Sequence, residues 1–317
     1  MSALTSTDVL RLGTRRSALA KAQAATVADS LRAKGFEVEL LGFTTEGDRS
    51  ARVGTTLAES GGLGVFVADL RLRLLAGEVD LVVHSLKDLP TAPADGLVVA
   101  AVPVREDPRD ALVARDGALL VELPAGASVG TGSPRRAAQL RAARPDLDVR
   151  PLRGNVDTRV GKVASGELDA VVVAAAGLAR LGRLSEATEL LDPDVMLPAP
   201  GQGALAVECR VADVEAGAKL RELAASIDDF HSRAAVAAER ALLADLEAGC
   251  TAPVGALATF DGTSHLQLVA AVVSVDGATA IRRSSSGPAA DAEDIGRRLA
   301  ADLLAAGAGD VIGREHQ

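Results

Sequence analysis

The chain has 317 residues, which is too long for one ordinary hydrophobic core and fits two or three domains. A net charge of −9 and the absence of Tyr and Trp argue against general nucleic-acid binding, because little is available to neutralise phosphates or to stack on bases. The longest apolar run spans about ten residues, whereas a membrane helix needs roughly 20. We therefore expect a protein that does not span the membrane.

The first hundred residues alternate strand and helix patterns. A short apolar run at 9–14 is followed by a helix that Ser17 opens as N-cap, and a strand pattern covers 36–43. The Gly/Ser/Thr-rich stretch 44–64 is predicted to be a mobile loop or lid. A helix over 66–76 and an apolar strand over 79–85 complete this part.

Residues 128–176 read as strand, helix, strand, helix, strand, with Ser133 and Pro134 at the start of the first helix. This order predicts a parallel sheet. Pro/Gly-marked connectors flank the unit at 102–110 and 197–203. Paired connectors indicate a domain inserted into another domain.

The remaining residues change in character. A long amphipathic helix is predicted over 226–246, and the pairs Asp261–Gly262 and Asp276–Gly277 are typical of β-hairpin turns. A final helix covers about 290–306. The fold class predicted is α/β for two domains, followed by a small α+β carboxyl-terminal domain.

Arginine placement points to an anionic ligand. The chain has 34 Lys and Arg residues in all, and between 131 and 162 seven arginines and Lys162 face three aspartates, a local net charge of +5. Three predicted strand-to-helix turns combine arginine with small or hydroxyl residues; these are Arg15 and Ser17, then Ser133, Arg135 and Arg136, then Arg153 and Arg159. Such turns offer helix N-termini and guanidinium forks to carboxylates or phosphates. The alternative is that these arginines are solvated residues of helix first turns.

Two further features have both an ordinary and a chemical interpretation. Lys87 and Asp88 follow the strand at 79–85, where they form either a surface ion pair or part of the anion site, with Asp88 the candidate for acid–base work or cation stabilisation. Cys209 follows an apolar run and is interpreted as a buried filler. Cys250 lies in a polar Gly/Pro loop, where it is either a small filler as well or the point at which a group is attached. Four histidines without ligand spacing make a metal site unexpected.

Taken together, the motifs resemble the porphobilinogen deaminase (hydroxymethylbilane synthase) family. The stretches that carry the resemblance occur in the family's order from about residue 10 to 255; they are LGTRRSALA, TEGDR, VHSLKDLP, REDPRDAL, VGTGSPRRAAQL, RPLRGNVDTR, AGLARLG, LPAPGQGALAVECR and AERALLADLEAGC. The resemblance implies a cytoplasmic transferase of tetrapyrrole (haem) biosynthesis. A monomer is expected separately, because no large apolar face of the sequence lacks an intramolecular use. Such an enzyme joins four porphobilinogen molecules head to tail and releases ammonia.

The resemblance also implies the roles of particular residues. A dipyrromethane cofactor is expected on Cys250 through a thioether, Asp88 is the expected catalytic carboxylate, and Phe66 belongs to the lid. The expected carboxylate-binding residues are Arg15, Ser17, Lys87, Ser133, Arg135, Arg136, Arg153, Arg159 and Arg180. The implied domains are 1–103 with 200–221, then 104–199, both like periplasmic binding proteins, and 222–317, which carries the cysteine. Porphobilinogen is the expected partner, with neither nucleic acid nor membrane.

The sequence departs from the family pattern at two positions. Leu63 stands where many members have a lysine before the lid phenylalanine, and Gly132 replaces one of two serines before the paired arginines. The competing interpretation is a two-domain anion-binding module of the solute-receptor type without chemistry. That alternative accounts for the arginine-bearing turns but gives no use for Cys250 or Asp88.

Overall fold

The computed structural model describes residues 9–44, 64–216, 218–248, 252–262 and 264–313. The strands are β1 (Leu10–Arg15), β2 (Val38–Phe43), β3 (Leu81–Ser85), β4 (Leu97–Ala101), β5 (Asp110–Ala114), β6 (Ser128–Thr131), β7 (Asp148–Pro151), β8 (Ala170–Ala174), β9 (Glu189–Leu190), β10 (Leu205–Arg210), β11 (Val254–Phe260), β12 (His265–Val273) and β13 (Ala280–Pro288). The helices are α1 (Ala18–Arg32), α2 (Gly64–Leu75), α3 (Pro134–Ala143), α4 (Val156–Ala164), α5 (Ala175–Arg180), α6 (Val211–Ala216), α7 (Ala218–Ile227), α8 (Phe230–Asp245), α9 (Ala292–Ala305) and α10 (Ala308–Val311).

The chain forms two compact units, Met1–Arg105 with Ala204–Arg233, and Glu106–Gly203 with Ala234–Gln317. In the first unit a five-stranded sheet has the order β2-β1-β3-β10-β4. β1 is parallel to both of its neighbours, whereas β10 is antiparallel to β3 and to β4. Helix α1 packs on this sheet through a stripe that includes Gln23, Val27 and Leu31, spaced four residues apart.

The second unit repeats this topology. Its larger sheet has the order β7-β6-β8-β5-β9, in which β6 is parallel to β7 and β8 while β5 is antiparallel to β8 and β9. Both large sheets are therefore mixed. The parallel sheet predicted for 128–176 corresponds to the three parallel strands β6, β7 and β8 of the second unit. The antiparallel strand β5 lies outside residues 128–176. The pattern of strands and helices within that segment therefore gave no sign of it.

A three-stranded antiparallel sheet, β11-β12-β13, also belongs to the second unit. The predicted Asp261–Gly262 and Asp276–Gly277 turns join its strands, as expected for hairpins. One face of the sheet packs against α8 and α9 around Leu242, Ile295 and Leu299, all 0% exposed. The α/β class with a small α+β carboxyl-terminal part is confirmed.

The long helix predicted for 226–246 is interrupted. Helix α7 ends at Ile227 and α8 starts at Phe230, because the intervening aspartates bind elsewhere. Asp228 accepts a hydrogen bond from Val102 N at 2.7 Å, and Asp229 caps α8 by accepting one from Ser232 N at 2.7 Å. Among the described residues, no helix is long and apolar enough to cross a membrane.

Candidate functional site

In the first unit, predicted site residues gather at one edge of the sheet. Arg15 ends β1 and Ser17 caps α1 by accepting a hydrogen bond from Ala20 N at 3.3 Å. Lys87 and Asp88 form the single 3-10 turn that follows β3. Because β1 and β3 are adjacent and parallel, their carboxyl ends share an edge.

A side-chain hydrogen bond joins helix α1 to the end of β3. Gln23 of α1 donates to Ser85 Oγ at the end of β3 at 2.6 Å, and Gln23 is only 6% exposed. The Asp88 carboxylate, three residues further on, is half-buried and forms no ion pair with any residue that the structure describes. This edge therefore presents an available carboxylate next to basic residues.

In the second unit, the carboxyl ends of the three neighbouring parallel strands carry the other predicted residues. After β6, Ser133 caps α3 by accepting a hydrogen bond from Arg136 N at 3.4 Å, and Pro134 is the first helical residue, as predicted. Arg153 and Arg159 follow β7, and Arg180 ends α5 after β8; all three side chains are half-buried or exposed.

Arg135 and Arg136 differ from the others because their side chains are buried on a shared carboxylate. Arg135 Nη2 lies 2.8 Å from Asp110 Oδ2, in an ion pair without hydrogen-bond alignment. Arg136 Nε and Nη2 lie 2.9 and 2.7 Å from Asp110 Oδ1. Burial raises the pKa of Asp110, but the two guanidiniums outweigh burial and lower that pKa to about 2. Asp110 is thus an anion with two cationic partners.

Two other guanidiniums have no such partner among the residues that the structure describes. Burial and the nearby charge of Arg136 lower the pKa of Arg159 to about 10. Burial also lowers the pKa of Arg180, against the opposing effect of Glu106. Neither guanidinium forms an ion pair within the described ranges; Arg159 donates to Gly154 O at 2.8 Å and Arg180 to Gly203 O at 2.6 Å. A multiply charged anion is the ligand that such groups favour.

Of the two departures from the family pattern, the structure describes Gly132 but not Leu63. At Gly132 a Cβ atom would collide with the Leu152 carbonyl oxygen, so this turn is packed too closely for a serine without adjustment. Leu63 lies outside the described residues. So do Cys250 and most of the predicted mobile stretch 44–64; Phe66 falls in α2, but its side chain is outside the described part. Cys209 is buried at 0% exposure and burial raises its pKa to about 11, which confirms it as a filler.

Sequence reasoning missed two residues of this site. Asp110 ends the predicted connector 102–110 and is not among the candidate site residues, yet it opens β5 and is the carboxylate to which both buried arginines bind. Gln202 donates to the same carboxylate at 2.8 Å. Arg136 and Gln202 lie 26 and 92 positions from Asp110 along the chain, and neither pattern nor spacing could have indicated these contacts.

These features define a class of protein: each of two α/β sheets carries cationic side chains at the carboxyl ends of its parallel strands, as expected of a protein that binds an anionic ligand. A family model described as "Porphobilinogen deaminase, dipyromethane cofactor binding domain" matches residues 10–218, and one described as the C-terminal domain matches 233–305. The chain belongs to the porphobilinogen deaminase family.

Relatives of the same name agree over nearly the full length. Porphobilinogen deaminase of Acidothermus cellulolyticus is 60% identical over 98% of this chain and 93% of the relative. The proteins of that name from Thermobifida fusca and Mycobacterium tuberculosis are each 55% identical, covering 97% and 96% of this chain and 97% and 98% of theirs. The porphobilinogen deaminase function, the transferase class and the dipyrromethane cofactor predicted from sequence are confirmed, and the two-domain binding module is not supported.

Solved structures that match the chain are more distant. The Bordetella pertussis BvgS VFT2 domain is 19% identical, with a TM-score of 0.42 over 69% of this chain and 88% of that one. A putative methionine-binding lipoprotein from Bacillus subtilis is 13% identical, with a TM-score of 0.43 over 71% and 92%.

Proposed function

We propose that this chain performs the porphobilinogen deaminase reaction with Cys250 as the cofactor anchor and Asp88 as the catalytic carboxylate. The carboxylates of cofactor and substrate would be bound by Arg15, Ser17, Lys87, Ser133, Arg135, Arg136, Arg153, Arg159 and Arg180. The observation that carries the proposal is the excess of guanidinium over carboxylate at the strand ends of the second unit. An acetate and a propionate on every pyrrole ring require such an excess.

The donor set fits a dipyrromethane group. Arg159 and Arg180 are partly desolvated cations without a described ion-pair partner, and Arg135 Nε is a buried donor without a described acceptor. Each charge-assisted hydrogen bond to such a donor contributes about 1.5–3 kcal/mol. Several of them together hold a polycarboxylate without any metal ligand.

The carboxylate of Asp88 has a separate task. When bound, the dipyrromethane supplies the pyrrole to which the first substrate unit is joined. Loss of ammonia from the protonated aminomethyl group of porphobilinogen leaves positive charge on the substrate ring, and the negative carboxylate of Asp88 stabilises that charge. Once the new carbon–carbon bond has formed, the pyrrole that was attacked releases the proton of its α-carbon, and Asp88 accepts this proton. Lys87, next to Asp88, binds a substrate carboxylate and keeps the ring oriented.

Intact-mass analysis of freshly purified full-length protein tests the anchor. We expect the wild-type mass to exceed the polypeptide mass by two pyrrole units, and Cys250→Ser to show the bare mass. Cys209→Ala is the matched control, because the chain has only two cysteines and Cys209 is buried in the core. It should retain the added mass. An adduct that survives Cys250→Ser would assign the anchor to another residue.

We further infer three domains, 1–103 with 200–221, then 104–199, and 222–317, in a monomeric cytoplasmic enzyme. Support comes from the separate sheets: two five-stranded sheets of the same topology and a third, three-stranded sheet. Light scattering on the eluting size-exclusion peak should give a mass near the 32.2 kDa of one chain. A peak of twice that mass would contradict the monomer.

A further inference from the structure

The side chain of Gln202 is buried at the centre of the arginine cluster. It is 0% exposed, and its Nε2 donates to Asp110 Oδ1 and to Pro108 O, each at 2.8 Å. Its Oε1 accepts a hydrogen bond from Arg136 Nη2 at 3.4 Å. One amide therefore contacts both members of the Asp110–Arg136 ion pair and the backbone just before β5.

The orientation of this amide is determined by its partners. A carboxylate and a carbonyl oxygen can only accept, so both require the NH2 group of Gln202, and the amide oxygen is left to face Arg136. A glutamate at this position would place a second carboxylate against Asp110. A methionine would fill the same space but would leave Asp110 Oδ1 and the Pro108 carbonyl without this donor.

The charge of the cluster explains why a neutral residue suits this position. Arg135 and Arg136 carry two positive charges and Asp110 one negative charge, all buried. The three side chains therefore have a net charge of +1, and Arg159 lies close enough to Arg136 for its pKa to be lowered. A neutral amide satisfies the carboxylate without cancelling this charge.

We propose that Gln202 is a positioning residue that fixes the Asp110–Arg136 pair and, by being neutral, keeps the positive charge of the cluster available to a carboxylate-bearing ligand. The inference rests on the proposed role of Arg135 and Arg136 in binding carboxylates. It adds a residue that does not touch the ligand and acts through Arg136. It also gives Asp110 the role of a resident counterion that holds the two arginines in place.

The test compares full-length Gln202→Glu, Gln202→Met and the double variant Gln202→Glu/Asp110→Asn, which exchanges the two groups and restores the net charge. Asp169→Asn is the matched control. Asp169 also binds the large sheet of the second unit, through Ser128 N at 2.8 Å and Oγ at 2.7 Å, but at the amino-terminal end of β6. The thermal unfolding midpoint establishes that each variant is folded.

Two readouts are independent of turnover. The first is the fraction of chains that carry the added mass, measured with Cys250 in place. The second is the calorimetric affinity for citrate, a tricarboxylate probe, measured on variants that also carry Cys250→Ser. We expect Gln202→Glu to lower citrate affinity at least tenfold, the double variant to recover most of it, and Asp169→Asn to leave it unchanged. Gln202→Met keeps the net charge of the cluster and should lower the affinity for citrate about threefold. In the enzyme with cofactor, Gln202→Glu should raise KM more than it lowers kcat.

A folded Gln202→Glu with wild-type citrate affinity would overturn the proposal, and so would a folded double variant no better than Gln202→Glu. If Gln202→Glu does not fold, the Gln202→Met comparison decides, and citrate affinity equal to wild type overturns the proposal. Wild-type protein without added mass would contradict the proposed function instead. The citrate comparison would still test Gln202 in that case.

Discussion

At the scale of single residues, the catalytic role proposed for the Asp88 carboxylate predicts that its removal lowers turnover. Asp88→Asn removes the negative charge but keeps the size of the side chain in the half-buried turn after β3. We expect the variant to fold and to carry the added mass, while kcat falls about 10²–10⁴-fold, since a positioned acid–base group contributes about that much.

Asp95→Asn is the matched control for this prediction. It makes the same change at an exposed position seven residues along the chain, and its kcat should stay at the wild-type value. Steady-state kinetics together with intact mass check both variants. Near-normal turnover of a fully loaded Asp88→Asn enzyme would remove Asp88 from the mechanism.

At the scale of elements, the turn between β12 and β13 packs on helix α3, the helix that presents Arg135 and Arg136. Gly277 has φ +79°, and a Cβ there would lie 2.6 Å from Ala142 N. Arg141 of α3 donates to Val275 O in the same turn at 2.7 Å. Gly277→Ala should therefore destabilise the protein by about 1–3 kcal/mol beyond the cost of the left-handed backbone, as overpacking does.

Gly126→Ala isolates the backbone part of that cost. Gly126 has the same φ of +79°, and no heavy atom lies within 4 Å of its added Cβ among the described residues. Urea unfolding of the two variants measures the difference. Equal losses of stability would show that the turn does not pack on α3 as described.

At the scale of the whole molecule, each compact unit contains a buried carboxylate that folding keeps ionised. In the first unit, Glu208 accepts two hydrogen bonds from Arg71, at 2.7 and 3.0 Å, and its Oε2 lies 3.1 Å from His84 Nε2. Burial raises the pKa of Glu208, but His84 and Arg71 outweigh burial and lower that pKa from 4.5 to about 2. In the second unit, the pKa of Asp110 falls from 3.8 to about 2.

The direction of the pH dependence follows from these values. A carboxylate with a lower pKa in the folded state stabilises the protein fully above its unfolded pKa, and that contribution is lost as the pH falls through the folded pKa. The free energy of unfolding should therefore decrease steadily from about pH 4.5 towards pH 2. Urea midpoints measured from pH 7 downwards check this expectation.

Glu208→Gln separates one carboxylate from the rest. It should cost about 3–5 kcal/mol at pH 7, because Arg71 loses its buried charge partner, and it should flatten the decrease below pH 4.5. Glu78→Gln, in an exposed pair with Arg73, should keep the wild-type slope. Parallel acid curves for wild type and Glu208→Gln would contradict the assignment.

The sequence by itself determined the local elements and the family. Ser17, Ser133 and Pro134 open helices where predicted, and the Asp276–Gly277 turn joins two strands, because caps and turns depend on residues a few positions apart. The ordered motifs, including RPLRGNVDTR, identified the chemistry for the same reason. They are short stretches that can be read without knowing how the chain folds.

Only the tertiary structure decided which strands are antiparallel and where the arginines point. Strand β5 enters its sheet from outside the βαβαβ segment, so sequence order does not indicate its direction. From the sequence, Arg136 and Arg159 had the same predicted role, as arginines of strand-to-helix turns. In the structure Arg136 is buried against Asp110 and Gln202, which lie 26 and 66 residues away along the chain. Burial and ion pairing depend on contacts between distant segments, and these form only when the sheet brings the strand ends together.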